Sequence, residues 1–261
     1  MAGFQTLWLN RDGAVVTIAL NRPHVRNAFN ALVIDELGQA AGSLRPSDRV
    51  LVLTGEGKAF CAGADLEWMK ASAKQSEDEN HREAANMAAM FCALNQSPRV
   101  VIGRINGSAF GGGLGLIACC DIAVAVEHAQ FAFTEARLGL VPAVVAPFVL
   151  DKIGAGWTRR YFVSGETFTS AAALEMGLIH EVVAAEKLDE VVARLAEGAL
   201  QCGPNAVIEA KKLLRTVAGQ DRDDALETAV ATIARLRRSP EGQEGLSAFL
   251  DKREANWRES T

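Results

Sequence analysis

Three consecutive glycines, Gly111-Gly112-Gly113, stand between a β-branched run and an apolar run of helical spacing. The run before them, Val100-Val101-Ile102, reads as a buried strand. The run after them, with Leu114, Leu116 and Ile117, reads as a helix. A strand that turns into a helix over residues without side chains needs backbone to pass close to something, and glycine also allows positive φ. The first turn of a helix carries N–H groups with no intrahelical acceptor, and its dipole favours negative charge. Two readings fit this stretch alone: a tight turn that only packs, and a backbone site for an anion or a developing oxyanion.

A second small-residue turn, Ala62-Gly63-Ala64, follows Phe60-Cys61 and leads into Asp65, placed as a helix-start carboxylate. If the two turns converge, the N–H groups of Ala64 and Gly112 form a two-donor oxyanion hole; spacing alone does not bring them together. Upstream, residues 7–9 and 14–20 read as a hairpin about Asp12-Gly13, and Asn21-Arg22-Pro23 ends its second strand. Residues 31–44 read as an amphipathic helix and 49–54 as a doubly buried strand. Residues 70–83 are polar with little periodicity and read as a weakly held helix, separate from an apolar helix over 84–94.

Beyond the glycines, strands are expected at 121–126, 130–133 and 178–183, and helices at 143–153, at 158–164 and from 168. From 185 onward the pattern is helical, with breaks at Gly203-Pro204 and Ser239-Pro240. Strands alternating with helices, then helices alone, indicate an α/β body over 1–200 and a helical region over 201–261. The alternation is too irregular to read as a repeat.

With 261 residues, 49% hydrophobic and 23% charged, the chain can bury a sizeable core. A net charge of −5 weighs against a whole-surface binder of nucleic acid or anionic membrane. There is no 18-residue apolar run and no signal-peptide pattern. Five unevenly spaced cysteines make no disulfide framework, and Cys119-Cys120 read as buried thiols, so a reducing, cytoplasmic compartment is expected. His24, His81, His128 and His180 lack ligand spacing, and no metal site is expected.

Taken together, Phe60-Cys61-Ala62-Gly63-Ala64-Asp65-Leu66 and Ile105-Asn106-Gly107-Ser108-Ala109-Phe110-Gly111-Gly112-Gly113-Leu114-Gly115 resemble the enoyl-CoA hydratase/isomerase (crotonase) superfamily. Asn21-Arg22-Pro23, Arg26-Asn27-Ala28 and the terminal Ala248-Phe249-Leu250-Asp251-Lys252-Arg253 extend the resemblance over nearly the whole chain. Glu67-Trp68-Met69, Val141-Pro142-Ala143 and the run from Ser239 to Leu246 are most similar to bacterial methylglutaconyl-CoA and related carboxylated isoprenoid-acyl-CoA hydratases.

The resemblance implies a ββα spiral core with a C-terminal helical trimerisation region, assembled as a homotrimer or hexamer. It implies an acyl-CoA substrate, with coenzyme A part of that substrate and no separate cofactor, whose thioester carbonyl lies in the hole of Ala64 and Gly112. Ala62, Asp65 and Leu66 would line the bound substrate. Arg26, with Arg22 and His24 nearby, would face the CoA phosphates. Phe249 and Lys252, at i, i+3 on the last helix, would reach a neighbouring subunit's CoA.

One of the family's two catalytic glutamates matches Glu135; the other falls at Gly115, which has no side chain. A single carboxylate still fits hydration, with Glu135 handling both proton and water, helped by a substrate carboxylate. Hydration of a branched or carboxylated 2-enoyl-CoA is the leading reading; a one-base isomerase, which also needs only one carboxylate, is the runner-up. A weakly catalytic CoA- or RNA-binding member is the third reading, against which the acidic balance weighs. For a carboxylated substrate, Arg82, Arg99 and Arg104 are the available extra cations.

Overall fold

A computed structural model describes residues 3–258. Met1 and Ala2, the start of the lead into the first strand, and 259–261, the end of the predicted helical tail, lie outside the described residues. The hairpin forms as expected: Gly13, at φ 54°, turns β1 (Leu7–Asp12) back on β2 (Val15–Leu20), with Leu7 opposite Leu20. Asn30 accepts from the Val33 N–H to start α1 (Ala31–Gly42), whose Val33, Ile34, Leu37 and Ala40 turn into the core. β3 (Val50–Gly55), buried along its length, lies parallel to β2.

The chain then repeats one manoeuvre. After β3 comes the short β4 (Ala59–Cys61), then α2 (Leu66–Ser72) and α3 (Glu77–Asn95). After β5 (Val100–Ile105) comes the short β6 (Ser108–Phe110), then α4 (Gly112–Ala118). After β7 (Ile122–Val126) comes the short β8 (Gln130–Ala132), then α5 (Ala146–Ser164). β9 (Phe168–Thr169), α6 (Ser170–Glu175), β10 (Glu181–Val183) and α7 (Leu188–Leu200) complete the body. The long strands form a sheet ordered β1-β2-β3-β5-β7-β10, and the short ones a second sheet ordered β4-β6-β8-β9. This is the ββα spiral that the resemblance implies. The units begin at Val50, Val100 and Ile122, and that unevenness hides the repeat from a sequence period.

Several expectations change. The polar stretch 70–83 is no separate weak helix: α2 ends at Ser72 and α3 starts at Glu77 as one continuous helix. A capping box between Ser76 and Glu79 holds its polar start, and Met90, Phe91 and Leu94 bury its far end. β5 runs on through Gly103 and Arg104, with glycine at 103 where a Cβ would lie 3.0 Å from the Cys120 Sγ. The two helices expected after residue 143 are joined, kinked at Gly154 with φ 72°. The strand expected from 178 begins only at Glu181.

The C-terminal region comprises α8 (Pro204–Val217), α9 (Arg222–Arg237) and α10 (Pro240–Leu250), broken at both predicted prolines and once more before the Asp221 cap. α8 and α9 bury no residue fully, and Leu214, Leu226, Val230 and Ile233 stay exposed. Polar anchors tie the region to the body: Lys211 pairs with Asp121 at 2.6 Å, and Arg49 donates to the Trp257 carbonyl at 3.0 Å and to that of Cys202. No helix among the described residues is long and apolar enough to cross a membrane.

Candidate active site

The smaller sheet assembles the site. β4, β6 and β8 lie side by side and parallel, with Cys61 beside Ala109 and Phe110 beside Ala132. Whatever follows their C-terminal ends therefore meets at one rim, where parallel sheets form their crevices. From β4 come residues 62–65, from β6 the glycines 111–113, and from β8 residues 133–135.

The two small-residue turns, separate in sequence, are pressed together. A Cβ on Gly63 would lie 2.8 Å from the Phe110 carbonyl oxygen, and one on Gly113 would lie 2.6 Å from that of Cys61. Gly63 has φ 84° and Gly111 φ 49°, backbone that side-chain-bearing residues rarely adopt. Phe29 stitches the first turn from outside: its N–H donates to Gly63 at 2.7 Å and its carbonyl accepts from Asp65 at 2.7 Å. Its ring lies against Gly112, where a Cβ would come within 2.7 Å of Cε2. Nothing in the sequence marks Phe29, one of eleven phenylalanines, for this role.

Ala64 lies between the two stitched positions, and Gly112 is the first residue of α4. Among the described residues neither N–H has a protein acceptor. Two unclaimed donors on adjacent turns can hold a developing negative charge with no reorganisation.

Glu135 opens a short 3-10 turn, Glu135–Leu138, just after β8. Its carboxylate reaches the glycine turn because Gly111 has no side chain: a Cβ there would sit 2.8 Å from Oε1. Oε2 is buried without a hydrogen-bond partner. Burial raises the Glu135 pKa above its ordinary value, against a smaller opposing pull from its own backbone N–H. Such a carboxylate suits proton transfer.

The second acid position is closed. A Cβ on Gly115 would meet Val145 Cγ1 at 2.3 Å and Phe91 Cε1 at 2.9 Å. Gly115→Glu is expected to cost about 2–4 kcal/mol, from overpacking against a χ1-stiff valine and burial of a carboxylate. A denaturant midpoint checks this, and adding Val145→Ala should recover part of the loss.

The remaining expected residues fall into distinct places. Arg26 is exposed, at φ 54°, and its carbonyl accepts from the half-buried Ala62 at 2.9 Å, so the cation stands beside the first turn. Leu66 is 72% exposed at the start of α2. Asp65 is buried, and its carboxylate is engaged: Oδ1 accepts from Glu67 N–H at 2.9 Å and Oδ2 pairs with Arg22 at 2.9 Å. Burial alone would raise the Asp65 pKa, but the Glu67 N–H and Arg22 together hold it lowered. Arg22 is thus occupied rather than directed at a phosphate.

Phe249 is 81% exposed at the end of α10. Lys252 does not share its helical face, since α10 ends at Leu250 and Lys252 turns left-handed at φ 53°. Two of the three extra cations are committed elsewhere: Arg104 pairs with Asp189 at 2.6 Å, and Arg99 donates to the Arg45 carbonyl at 3.0 Å. Arg82 stays exposed on α3. Cys119 and Cys120 are buried, and burial pushes the Cys120 thiol up to about 12. His180 accepts from the Ala123 N–H at 2.9 Å.

Comparison with known proteins points to one family. The sequence profile described as enoyl-CoA hydratase/isomerase matches residues 10–260. A carnitinyl-CoA dehydratase from Salmonella arizonae is 33% identical, over 97% of this chain and 98% of its own. A crotonyl-CoA hydratase from Syntrophomonas wolfei is 28% identical, over 97% and 98%. A crystal structure of an enoyl-CoA hydratase from Shewanella pealeana superposes with a TM-score of 0.94 at 36% identity, covering 97% of this chain and 96% of that one.

Proposed function

This chain belongs to the enoyl-CoA hydratase/isomerase family, and on that premise we propose that it adds water reversibly to a 2-enoyl-CoA thioester. The N–H groups of Ala64 and Gly112 hold the thioester carbonyl oxygen, where charge gathers as an enolate forms. Glu135 takes a proton from water while the water oxygen bonds to Cβ and the double-bond electrons move toward the carbonyl. The same carboxylate then returns that proton to Cα, so one group serves both steps and ends unchanged. The observation that carries this reading is the buried, unpartnered Glu135 Oε2 at the rim that also presents the two unclaimed N–H groups.

Arg26 meets the CoA phosphates, and Ala62 and Leu66 flank the bound thioester. Phe249 and Lys252 reach the CoA of a neighbouring copy in a homotrimer or hexamer. The exposed Leu214, Leu226, Val230 and Ile233 on α8 and α9 support that self-association. The acyl group is branched or carboxylated, of the 3-methylglutaconyl type, and Arg82 is the cation left to meet a distal carboxylate. An absorbance screen at the enoyl thioester band tests this with crotonyl-, 3-methylcrotonyl- and 3-methylglutaconyl-CoA. A preference for the last, lowered by Arg82→Ala mainly in KM, is the expected result; equal rates on all three would remove the carboxylate from the account.

The closure of Gly115 by Val145 and Phe91 favours a second reading. A one-base isomerase removes a proton from Cα of a 3-enoyl-CoA and returns it to Cγ without water, and needs no second acid. A 3-enoyl-CoA in the same screen separates the two: the 2-enoyl band would grow and persist for an isomerase.

A further inference from the structure

We infer that the Arg22–Asp65 ion pair is a positioning clamp that sets the direction of the Ala64 N–H. The inference rests on the oxyanion-hole reading above. Its ground is a lattice of contacts between two loops that the sequence does not connect. Arg22 donates to the Ala28 carbonyl at 2.7 Å and pairs with Asp65 at 2.9 Å. Its own N–H donates to Asn27 Oδ1 at 3.0 Å. Asn27 Nδ2 donates to the carbonyls of Glu56 and Ala59, each at 2.9 Å, which ties this loop to both ends of the turn before β4.

The lattice continues directly onto the donor. Ala62 N–H donates to Arg26, Phe29 N–H to Gly63, and Asp65 N–H to Phe29. Residues 62, 63 and 65 are therefore each bonded to the 26–29 segment, Gly63 through its carbonyl, while among the described residues no protein acceptor claims the Ala64 N–H between them. Arg22 spans the whole arrangement, from Ala28 on one side to Asp65 on the other. Asp65 also caps α2, so the same carboxylate fixes the turn that leads from Ala64 into the helix.

The backbone points the same way. Arg26 and Asn27 are consecutive non-glycine residues at φ 54° and 58°. Left-handed backbone at such residues persists where the surroundings over-determine it, as at functional sites. Here the three side-chain hydrogen bonds of Asn27 supply that determination.

An interaction that only orients a donor acts mainly where charge develops. Its loss should lower kcat more than it raises KM. Asp65→Asn separates the pair from the cap, because Asn caps a helix as well as Asp but carries no charge for Arg22. The readout is 4-dimethylaminocinnamoyl-CoA, whose absorbance moves to the red when its carbonyl is polarised. The wild-type protein is expected to red-shift the bound probe. Asp65→Asn is expected to lose much of that shift and about tenfold in kcat, with KM within about threefold, less than the loss from deleting a donor outright.

Arg22→Lys keeps the charge but loses the fork, so it should fall between the two, and it carries the test if Asp65→Asn does not fold. Full red shift and unchanged kcat in the variant would overturn the clamp while leaving the hole intact. No red shift in the wild type would overturn the hole itself.

Discussion

Glu135→Gln is expected to lower kcat by roughly 10²–10⁴-fold while leaving substrate binding nearly unchanged, because the amide can neither take nor return the proton. The structure holds no second carboxylate at Gly115 to take over, since Val145 and Phe91 fill that space. In the wild type, activity should fall as pH drops through the Glu135 pKa, because the protonated acid cannot accept a proton from water. Burial raises that pKa, so the acid limb lies above the ordinary glutamate value of 4.5. The limb should vanish in the residual activity of the variant.

Stability should move the other way. A carboxyl whose pKa is raised on folding binds more protons in the folded state than in the unfolded one. Its contribution is present below the ordinary pKa and is lost as pH rises through the raised one. Replacing it with a neutral amide removes that loss, so Glu135→Gln should melt higher than wild type at pH 8, with the difference closing below about pH 4.5. Calorimetry at the two pH values checks the sign. A carboxylate oxygen kept buried without a partner, at a cost in stability, fits a proton-transfer role.

Gly63→Ala is expected to have the second large effect. The new Cβ would sit 2.8 Å from the Phe110 carbonyl oxygen, on backbone at φ 84°. Neither can yield easily: the oxygen belongs to a strand of the smaller sheet, and positive φ is strained for alanine. The turns bearing Ala64 and Gly112 must then separate. Loss of one oxyanion donor's alignment costs about 3–4 kcal/mol of barrier, or roughly 10²–10³-fold in kcat. The fold itself should lose about 2 kcal/mol. Gly139→Ala makes a useful contrast: it too has positive φ, at 73°, but nothing lies within 4 Å of its Cβ. It should share the backbone strain without separating the two turns.

These effects depend on a convergence that residue patterns signal only in part. The glycines 111–113 announce close approach, and Asp65 announces a helix start, since both depend on local chemistry. That the two turns touch depends on β4 pairing with β6, a non-local contact between three-residue strands that carry almost no pattern of their own. The same holds for Arg22. Its position after a strand is compatible with a phosphate contact, and only the fold brings Asp65 within 2.9 Å and commits it. Arg99 and Arg104 lie on or beside β5, a strand of the larger sheet, and their partners Arg45 and Asp189 come from distant parts of the chain. Lys252 leaves the face of Phe249 for a local reason: helical spacing in the sequence continues past Leu250 while the backbone leaves the helix. The absent side chain at Gly115 is plain in the sequence, but that Val145 and Phe91 occupy the space is not.

The central claim is that Glu135 adds water at this rim through a single carboxylate. Turnover of a 2-enoyl-CoA in ¹⁸O-labelled D₂O, followed by mass spectrometry of the product thioester, tests it most directly. The account predicts one ¹⁸O at C3 and one deuterium at C2 in the 3-hydroxyacyl-CoA, with both reduced together in Glu135→Gln. Double-bond migration without ¹⁸O, or ¹⁸O incorporation at an unchanged rate in Glu135→Gln, would contradict it.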